Sequence, residues 1–202
     1  GLEKLIQIEK PFAVIFNGQK FSDEVLQLVA KMSHLAALDL EYAQLTCSSL
    51  SELNNLERLT VLSLPTLPEK KRFRTSLLEL KQLTCLSLKV AEMSKEIISG
   101  LKQMEQLSCL RINTSKVEKG AFQGLGHFDS LRRLDLSCSA ITDDEILAAI
   151  ALHVAVGLVR ARGTKLGASP ATVVRRTSRG WLSSKRRPRC RVVRLSHMTR
   201  SC

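Results

Sequence analysis

The sequence feature that most constrains this fold is a pattern of apolar residues that returns every 24 residues. In residues 131–141, LRRLDLSCSAI, leucine stands at the first, fourth and sixth positions. Earlier copies of the pattern stand at Leu35, Leu38, Leu40; Leu59, Leu62, Leu64; Leu83, Leu86, Leu88; and Leu107, Leu110, Ile112, with a weaker copy at Pro11, Val14, Phe16. A fixed period of this length predicts a stacked array in which each unit buries its apolar face against its neighbours.

Each unit has a strand segment followed by a short helical segment, as residues 32–55 illustrate. Residues 37–41 alternate between outward and inward positions, with Leu38 and Leu40 inward, which is the period of a β-strand. Leu50, Leu53 and Leu56 follow at the three-residue spacing of one helix face. The equivalents are Leu26, Ile98, Phe122 and Ile146 for Leu50, and Val29, Leu77, Leu101 and Leu125 for Leu53. We therefore expect strands on one side of the array and helical turns on the other.

The motif L-x-x-L-x-L, followed by x-x-S-x-I, resembles the leucine-rich repeat family, with about six repeats in residues 8–151. The resemblance implies an α/β fold, a right-handed leucine-rich repeat solenoid with a curved parallel sheet on the concave face and short helices or turns on the convex face. The run LDLSCSAITDDEI also looks like the short repeats of protozoan leucine-rich repeat proteins, in which such arrays are recognition arms of larger regulators. No functional residue is carried over from that likeness.

Two features depart from the family pattern. The family commonly places Asn or Cys three residues after the last strand leucine, where this chain has Gln19, Ala43, Leu67, Ala91, Ser115 and Ser139, which implies looser turns. The unit from 56 to 79 contains Pro65, which cannot donate a strand hydrogen bond and should end its strand. In the same unit we expect EKKRFR, residues 69–74, to leave the convex surface as a loop, either as a solvated turn or as a docking point for an acidic partner.

The formal charge of +12 belongs to the C-terminal part of the chain. Residues 1–151 carry 18 Lys and Arg and 19 Asp and Glu, a formal charge of −1. Residues 152–202 carry 13 Lys and Arg and no acid, and the 24-residue frame fails there. We therefore divide the chain into a leucine-rich repeat body, residues 1–151, and a basic Arg-rich tail, residues 152–202, whose composition predicts disorder.

The tail has two interpretations. The run KRRPRCR, residues 185–191, together with Trp181, is typical of a nucleic-acid-binding arm, in which arginines contact phosphates and an aromatic ring stacks on bases. The absence of acids and of any apolar stripe is more typical of an unselected extension, such as translation past a frameshift. A nucleic-acid partner is therefore expected to bind through the tail and not through the repeat body.

The cysteines and histidines predict no metal or cofactor site. Six cysteines are present, but none forms a C-x-x-C pair and no His-rich run accompanies them. We expect an intracellular, reducing compartment. No apolar run reaches the ~20 residues that span a bilayer. Because Gly1 leads almost directly into the first repeat without a visible leader, we expect the chain to be a fragment.

The outward side chains of the strands form the candidate functional surface, which we call the concave face. Neighbouring strands lie ~4.8 Å apart, so these side chains form continuous rows. They are acidic in the early repeats and basic in the later ones, a polarity that would orient a complementary partner, although ordinary solubilising residues would look similar. We predict a protein–protein interaction module, part of a larger regulatory protein, that binds through Asp39, Glu41, Ser63, Ser87, Lys89, Arg111, Asn113, Arg133 and Asp135.

Two cysteines, Cys85 and Cys109, occupy equivalent outward positions one repeat apart. Neighbouring strands bring their Cα atoms within the ~4.4–6.8 Å of a disulfide, but in-register parallel neighbours orient poorly for a bridge, and we expect free thiols. No Ser-His-Asp or Cys-His arrangement can be assembled from the four histidines. The repeat body is therefore not expected to be an enzyme.

Overall fold

The computed structural model describes residues 1–45, 50–66, 71–138, 158–162, 172–175 and 191–196. Six parallel strands stand side by side in chain order: β1 (Phe12–Phe21), β2 (Leu35–Leu45), β3 (Val61–Thr66), β4 (Cys85–Met93), β5 (Cys109–Val117) and β6 (Arg133–Cys138). The helices are α1 (Asp23–Val29), α2 (Lys71–Leu78) and α3 (Lys95–Leu101), with 3₁₀ turns at Leu2–Leu5, Ser51–Asn55 and Ala121–His127. The prediction of an α/β leucine-rich repeat solenoid is confirmed.

The strand register follows the sequence period. Leu62 on β3 pairs with Leu86 on β4, and Leu86 pairs with Leu110 on β5, each 24 residues further along the chain. The same offset relates β2 to β3 and β5 to β6. Equivalent positions of successive coils therefore lie side by side, and the leucines of one coil pack against those of the next.

The core lies between the sheet and the helical side. All strand leucines of the five strong copies are at most 1% exposed, from Leu35 to Leu136. The helical positions are buried as well, with Leu26, Val29, Leu50, Leu53, Leu56, Leu77, Ile98, Leu101, Phe122 and Leu125 at most 3% exposed. These inward positions are therefore confirmed, while Ile146 lies outside the described residues.

The first repeat deviates from the sequence frame at its first position, and the 24-residue offset returns at Ala13. Pro11 occupies the position of the first leucine in the motif but is exposed, and Phe12 is fully buried in its place. The register shifts accordingly, because Phe12 pairs with Leu35 on β2. An aromatic ring fills the first layer of the core, and the proline, which has no N–H to donate, remains outside the strand.

The repeat that contains Pro65 is more regular than its sequence indicates. Strand β3 continues through Pro65 to Thr66, and its register with β4 shifts between Ser63 and Thr66. A bulge of this kind accommodates a residue that cannot donate to the ladder. Residues 71–74 lie in α2, so the prediction of a loop over residues 69–74 is wrong for these four, while residues 69–70 lie outside the described part.

Three hydroxyl groups, each at the position before a strand, join four successive coils. Thr60 Oγ1 donates to the Ala36 carbonyl at 3.4 Å, Thr84 Oγ1 to Thr60 at 3.2 Å, and Ser108 Oγ to Thr84 at 3.1 Å. In the column where the family has Asn, Ser115 Oγ donates to the Ala91 carbonyl at 2.9 Å. At Ala36, Thr60 and Thr84 these bonds add to the backbone N–H groups that already donate to the same carbonyls.

Replacing Thr84 with valine is expected to lower the free energy of unfolding by about 1 kcal/mol, because the isosteric side chain cannot donate to the Thr60 carbonyl. Thr84→Ser keeps the hydroxyl and is the control, with an expected loss of less than half as much. Urea unfolding monitored by circular dichroism measures both. A larger loss for Thr84→Ser than for Thr84→Val would show that packing of the methyl group, which valine keeps, matters more than the hydrogen bond.

The sheet continues beyond residue 151. Strand β7 (Leu158–Arg162) lies parallel to β6, β8 (Thr172–Arg175) antiparallel to β7, and β9 (Arg191–Ser196) parallel to β1. Val159 pairs with Leu134, an offset of 25 residues, so the sheet continues although the 24-residue frame does not. All other residues of the basic tail lie outside the described ranges. Among the described residues, no helix combines the length and apolar character needed to cross a membrane.

Candidate functional site on the concave face

The alternation of each strand places the predicted binding residues on the side of the sheet opposite the core. Arg111, Asn113 and Arg133 are exposed, and the others are half-buried, namely Asp39, Glu41, Ser63, Ser87, Lys89 and Asp135. One continuous row crosses β2 to β6 through Asp39, Ser63, Ser87, Arg111 and Asp135, each paired with the next. The structure thus brings the predicted residues together on one surface.

The charges of this face are partly paired across the strands. Arg111 Nε lies 3.6 Å from Asp135 Oδ2, and their side chains are 59% and 16% exposed. The Arg111 side chain is therefore anchored by a carboxylate on the neighbouring strand while most of its surface stays accessible. A pair this exposed contributes little to stability, but it fixes where the positive charge is presented.

The acidic end of the face is shaped by an irregularity in β2. The Glu41 N–H donates to Asp39 Oδ1 at 2.9 Å, so Asp39 binds its own strand as well as facing outward. The register with β1 shifts here, because Ile15 pairs with Asp39 but Asn17 pairs with Tyr42. The sequence frame, which alternates strictly, does not anticipate this shift, and it identified Glu41 but not Tyr42 as an outward residue.

Tyr42 is the exposed large hydrophobic residue of the described part of the chain, at 64% exposure. The Lys89 Nζ atom lies 5.8 Å from the centre of the Tyr42 ring, although β3 separates β2 from β4 in the sheet order. This cation–π contact places the ring over the same surface as Lys89. Tyr42 therefore belongs to the concave face. The sequence feature that could have identified it is that it is the one tyrosine of the chain.

Cys85 and Cys109 stand in register on β4 and β5 as free, half-buried thiols. A hydrogen bond from the Cys85 thiol lowers the pKa of Cys109 to about 6, helped by Arg133 and Arg111 and opposed by burial and Asp135. The same hydrogen bond, burial and the charge of Cys109 raise the pKa of Cys85. The other in-register neighbour of Cys109 is Arg133, whereas that of Cys85 is Val61. The prediction that the thiols stay unbridged remains a prediction.

No catalytic or metal-binding arrangement is found in the described residues. They contain no group of three or more His, Cys, Asp or Glu side chains placed to hold a metal ion. His34 contacts the hydroxyl of its neighbour Ser33 at 3.1 Å, on the loop between α1 and β2. His153 and His197 lie outside the described residues. The prediction that the repeat body is not an enzyme stays a prediction.

Comparisons with known proteins give similarity to solved structures only. No family model matches the chain, and no curated protein matches it. A crystal structure of internalin C2 from Listeria monocytogenes is similar over 74% of this chain and 60% of that one, with 20% sequence identity and a TM-score of 0.49. A crystal structure of an internalin, inlF, from the same organism is similar over 78% of this chain and 41% of that one, with 21% identity and a TM-score of 0.47.

The chain thus spans 60% and 41% of the lengths of these two chains. The likeness to protozoan leucine-rich repeat proteins is not supported by any match. The assignment of a leucine-rich repeat fold therefore rests on this chain's own register and burial, which place equivalent leucines side by side in the core of successive coils.

Proposed function

We propose that the repeat body is a protein–protein interaction module that binds its partner through the concave face, as part of a larger regulatory protein. The observation that supports this most is the continuous row of accessible side chains across five strands, backed by a fully buried leucine layer. The rigid backing fixes the positions of the outward groups, so little ordering is needed when a partner binds. The boundary at residue 151, where the 24-residue frame ends, is part of the proposal.

The composition of the face favours a folded protein surface as the partner. Tyr42 offers an exposed ring, and Arg111 offers a guanidinium held by Asp135. Tyrosine and arginine are the side chains that most often dominate binding energy at protein interfaces. Asp39 and Glu41 lie at one end of the face and Arg111 and Arg133 at the other, so a partner with the opposite polarity is oriented as it approaches.

Photo-crosslinking of the full chain tests this function even when the partner is unidentified. Benzoylphenylalanine in place of Asn113, an exposed amide on the concave face, is compared with the same residue in place of Gln103, an exposed amide beyond the end of α3. We expect a discrete protein adduct from position 113 and none from position 103. Charge reversal at Arg111 should remove the adduct, whereas Arg58→Glu, on the exposed turn before β3, should not. Adducts at position 103 alone would overturn the proposal.

The alternative function, nucleic-acid binding through the Arg-rich tail, rests on the 13 basic and no acidic residues of 152–202. If it holds, the affinity for single-stranded RNA should fall steeply with salt. Replacing Lys185, Arg186, Arg187 and Arg189 with glutamine should then reduce the slope of log affinity against log salt by about 3. If mass spectrometry of the native protein finds tryptic peptides only from residues before 152, this function is excluded.

A further inference from the structure

Four side chains on three strands form a chemical cluster, and two of them are thiols that recognition of a protein partner does not require. Cys109 on β5 has Cys85 as its in-register neighbour on β4 and Arg133 as its in-register neighbour on β6. Arg111 stands two residues after Cys109 on the same strand and therefore on the same face. The cluster places two thiols and two guanidinium groups on the accessible side of the sheet.

The geometry favours the thiolate form of Cys109. Cys85 donates its S–H to the Cys109 sulfur, and the guanidinium groups of Arg133 and Arg111 supply positive charge, while Asp135 is the carboxylate that opposes them. The Cys85 hydrogen bond and the two arginines outweigh burial and Asp135 and lower the pKa of Cys109 to about 6, which favours the thiolate. Cys109 is only half-buried, so a reagent in solution can reach the sulfur. A thiolate that is both ionised and accessible is the nucleophilic form of cysteine.

The two arginines favour a negatively charged molecule as the reaction partner of Cys109. Arg133 is exposed, and Arg111 is 59% exposed while one of its nitrogens contacts Asp135. Both can therefore pair with a carboxylate on a molecule that approaches Cys109 from the concave side. Two guanidinium groups face one carboxylate around this thiol, so the surroundings of the sulfur are positive overall.

We propose that Cys109 is a modification site for anionic disulfides, with Arg133 and Arg111 binding the carboxylates of the incoming molecule and Cys85 holding the attacking sulfur as a thiolate. The Cys109 sulfur attacks one sulfur of the disulfide and forms a new S–S bond. The old S–S bond breaks, and its electron pair leaves on the other sulfur as a free thiolate. The reaction is an exchange, so no further oxidant or reductant is required.

The test measures modification of the full, reduced chain by two probes, the dianionic 5,5′-dithiobis(2-nitrobenzoate) and the neutral 4,4′-dithiodipyridine. Tryptic peptide mapping after short exposures identifies the cysteine that reacts first. We expect Cys109 to be labelled first. Its rate with the anionic probe should level off above pH 7 and at pH 6 exceed that of an ordinary thiol by roughly tenfold, after allowing for the lower intrinsic nucleophilicity of an acidic thiol.

Variants separate the roles of the neighbours. Measured at pH 9, where Cys109 is ionised with or without this charge, Arg133→Gln should slow the anionic probe by roughly tenfold and the neutral probe by no more than about twofold, because it removes a carboxylate partner. Arg58→Gln, a matched arginine outside the cluster, should change neither rate. Cys85→Ala should move the midpoint of the pH–rate profile of Cys109 upward, since it removes the hydrogen-bond donor. Two results would overturn the proposal. One is a Cys109 rate in the wild-type chain that still rises tenfold per pH unit through pH 8, and the other is equal slowing of both probes by Arg133→Gln.

Discussion

Replacing Leu86 with alanine is expected to lower the free energy of unfolding by about 2–5 kcal/mol. Leu86 is fully buried in the middle of the array, with Leu62 beside it on β3 and Leu110 on β5. The cavity left by the missing side chain borders both neighbouring coils, so the change weakens two coil interfaces at once. Chemical unfolding followed by far-ultraviolet circular dichroism, with wild-type protein alongside, measures the loss.

The matched control is the next residue, Ser87, which faces outward and is half-buried. Ser87→Ala is expected to change the unfolding free energy by no more than about 0.5 kcal/mol, since it removes no core contact. A comparable loss at both positions would contradict the inward and outward assignment of β4. A loss at Leu86 below about 1 kcal/mol would instead mean that the layer collapses easily around the smaller side chain.

The inward positions were predictable because the period is a property of the sequence alone. Leu53 and its equivalents Val29, Leu77, Leu101 and Leu125 stand in different local sequences. All five side chains are nevertheless buried, at no more than 3% exposure. A stacked array repeats one local geometry, so a residue that is inward in one coil is inward in the next. Few folds offer such a direct relation between spacing and burial.

Departures from the period were not predictable, because they depend on contacts between coils. Phe12 takes the place of Pro11 in the core, and the register with β2 shifts between Phe12 and Ala13. Residues 71–74 are helical although they are basic and follow a proline-containing stretch, because Leu77 anchors α2 to the core. Local composition indicated a loop, and packing at the far end of the segment favoured a helix.

The candidate site was predictable as a surface but not as a set of contacts. The sequence placed Arg111 and Asp135 one repeat apart in the same row, and the structure adds the ion pair between them. The hydroxyls of Thr60, Thr84 and Ser108 also stand at 24-residue intervals, a periodic signal that the leucine pattern alone does not include. Tyr42 was missed because a strict alternation of the strand cannot represent a register shift.

Tyr42→Ala is expected to weaken binding of the protein partner by at least about 2 kcal/mol, or roughly 30-fold in Kd. The ring is 64% exposed, so its apolar surface is available to a partner. Lys89 holds one side of the ring at 5.8 Å, which restricts its motion before binding and lowers the entropy that is lost on association. Titration calorimetry with the protein captured by crosslinking at position 113 measures the change.

Two further variants distinguish the ring from the groups around it. Tyr42→Phe keeps the aromatic surface and should retain most of the affinity, whereas Lys89→Ala, which removes only a surface cation–π contact, should weaken binding by about 0.5–1 kcal/mol. Because Tyr42 is exposed, its replacement should leave the unfolding free energy within about 0.5 kcal/mol of the wild type. Unchanged affinity in Tyr42→Ala, with the fold intact, would move the binding surface away from the early strands and toward Arg111 and Arg133, where the remaining charge of the concave face lies.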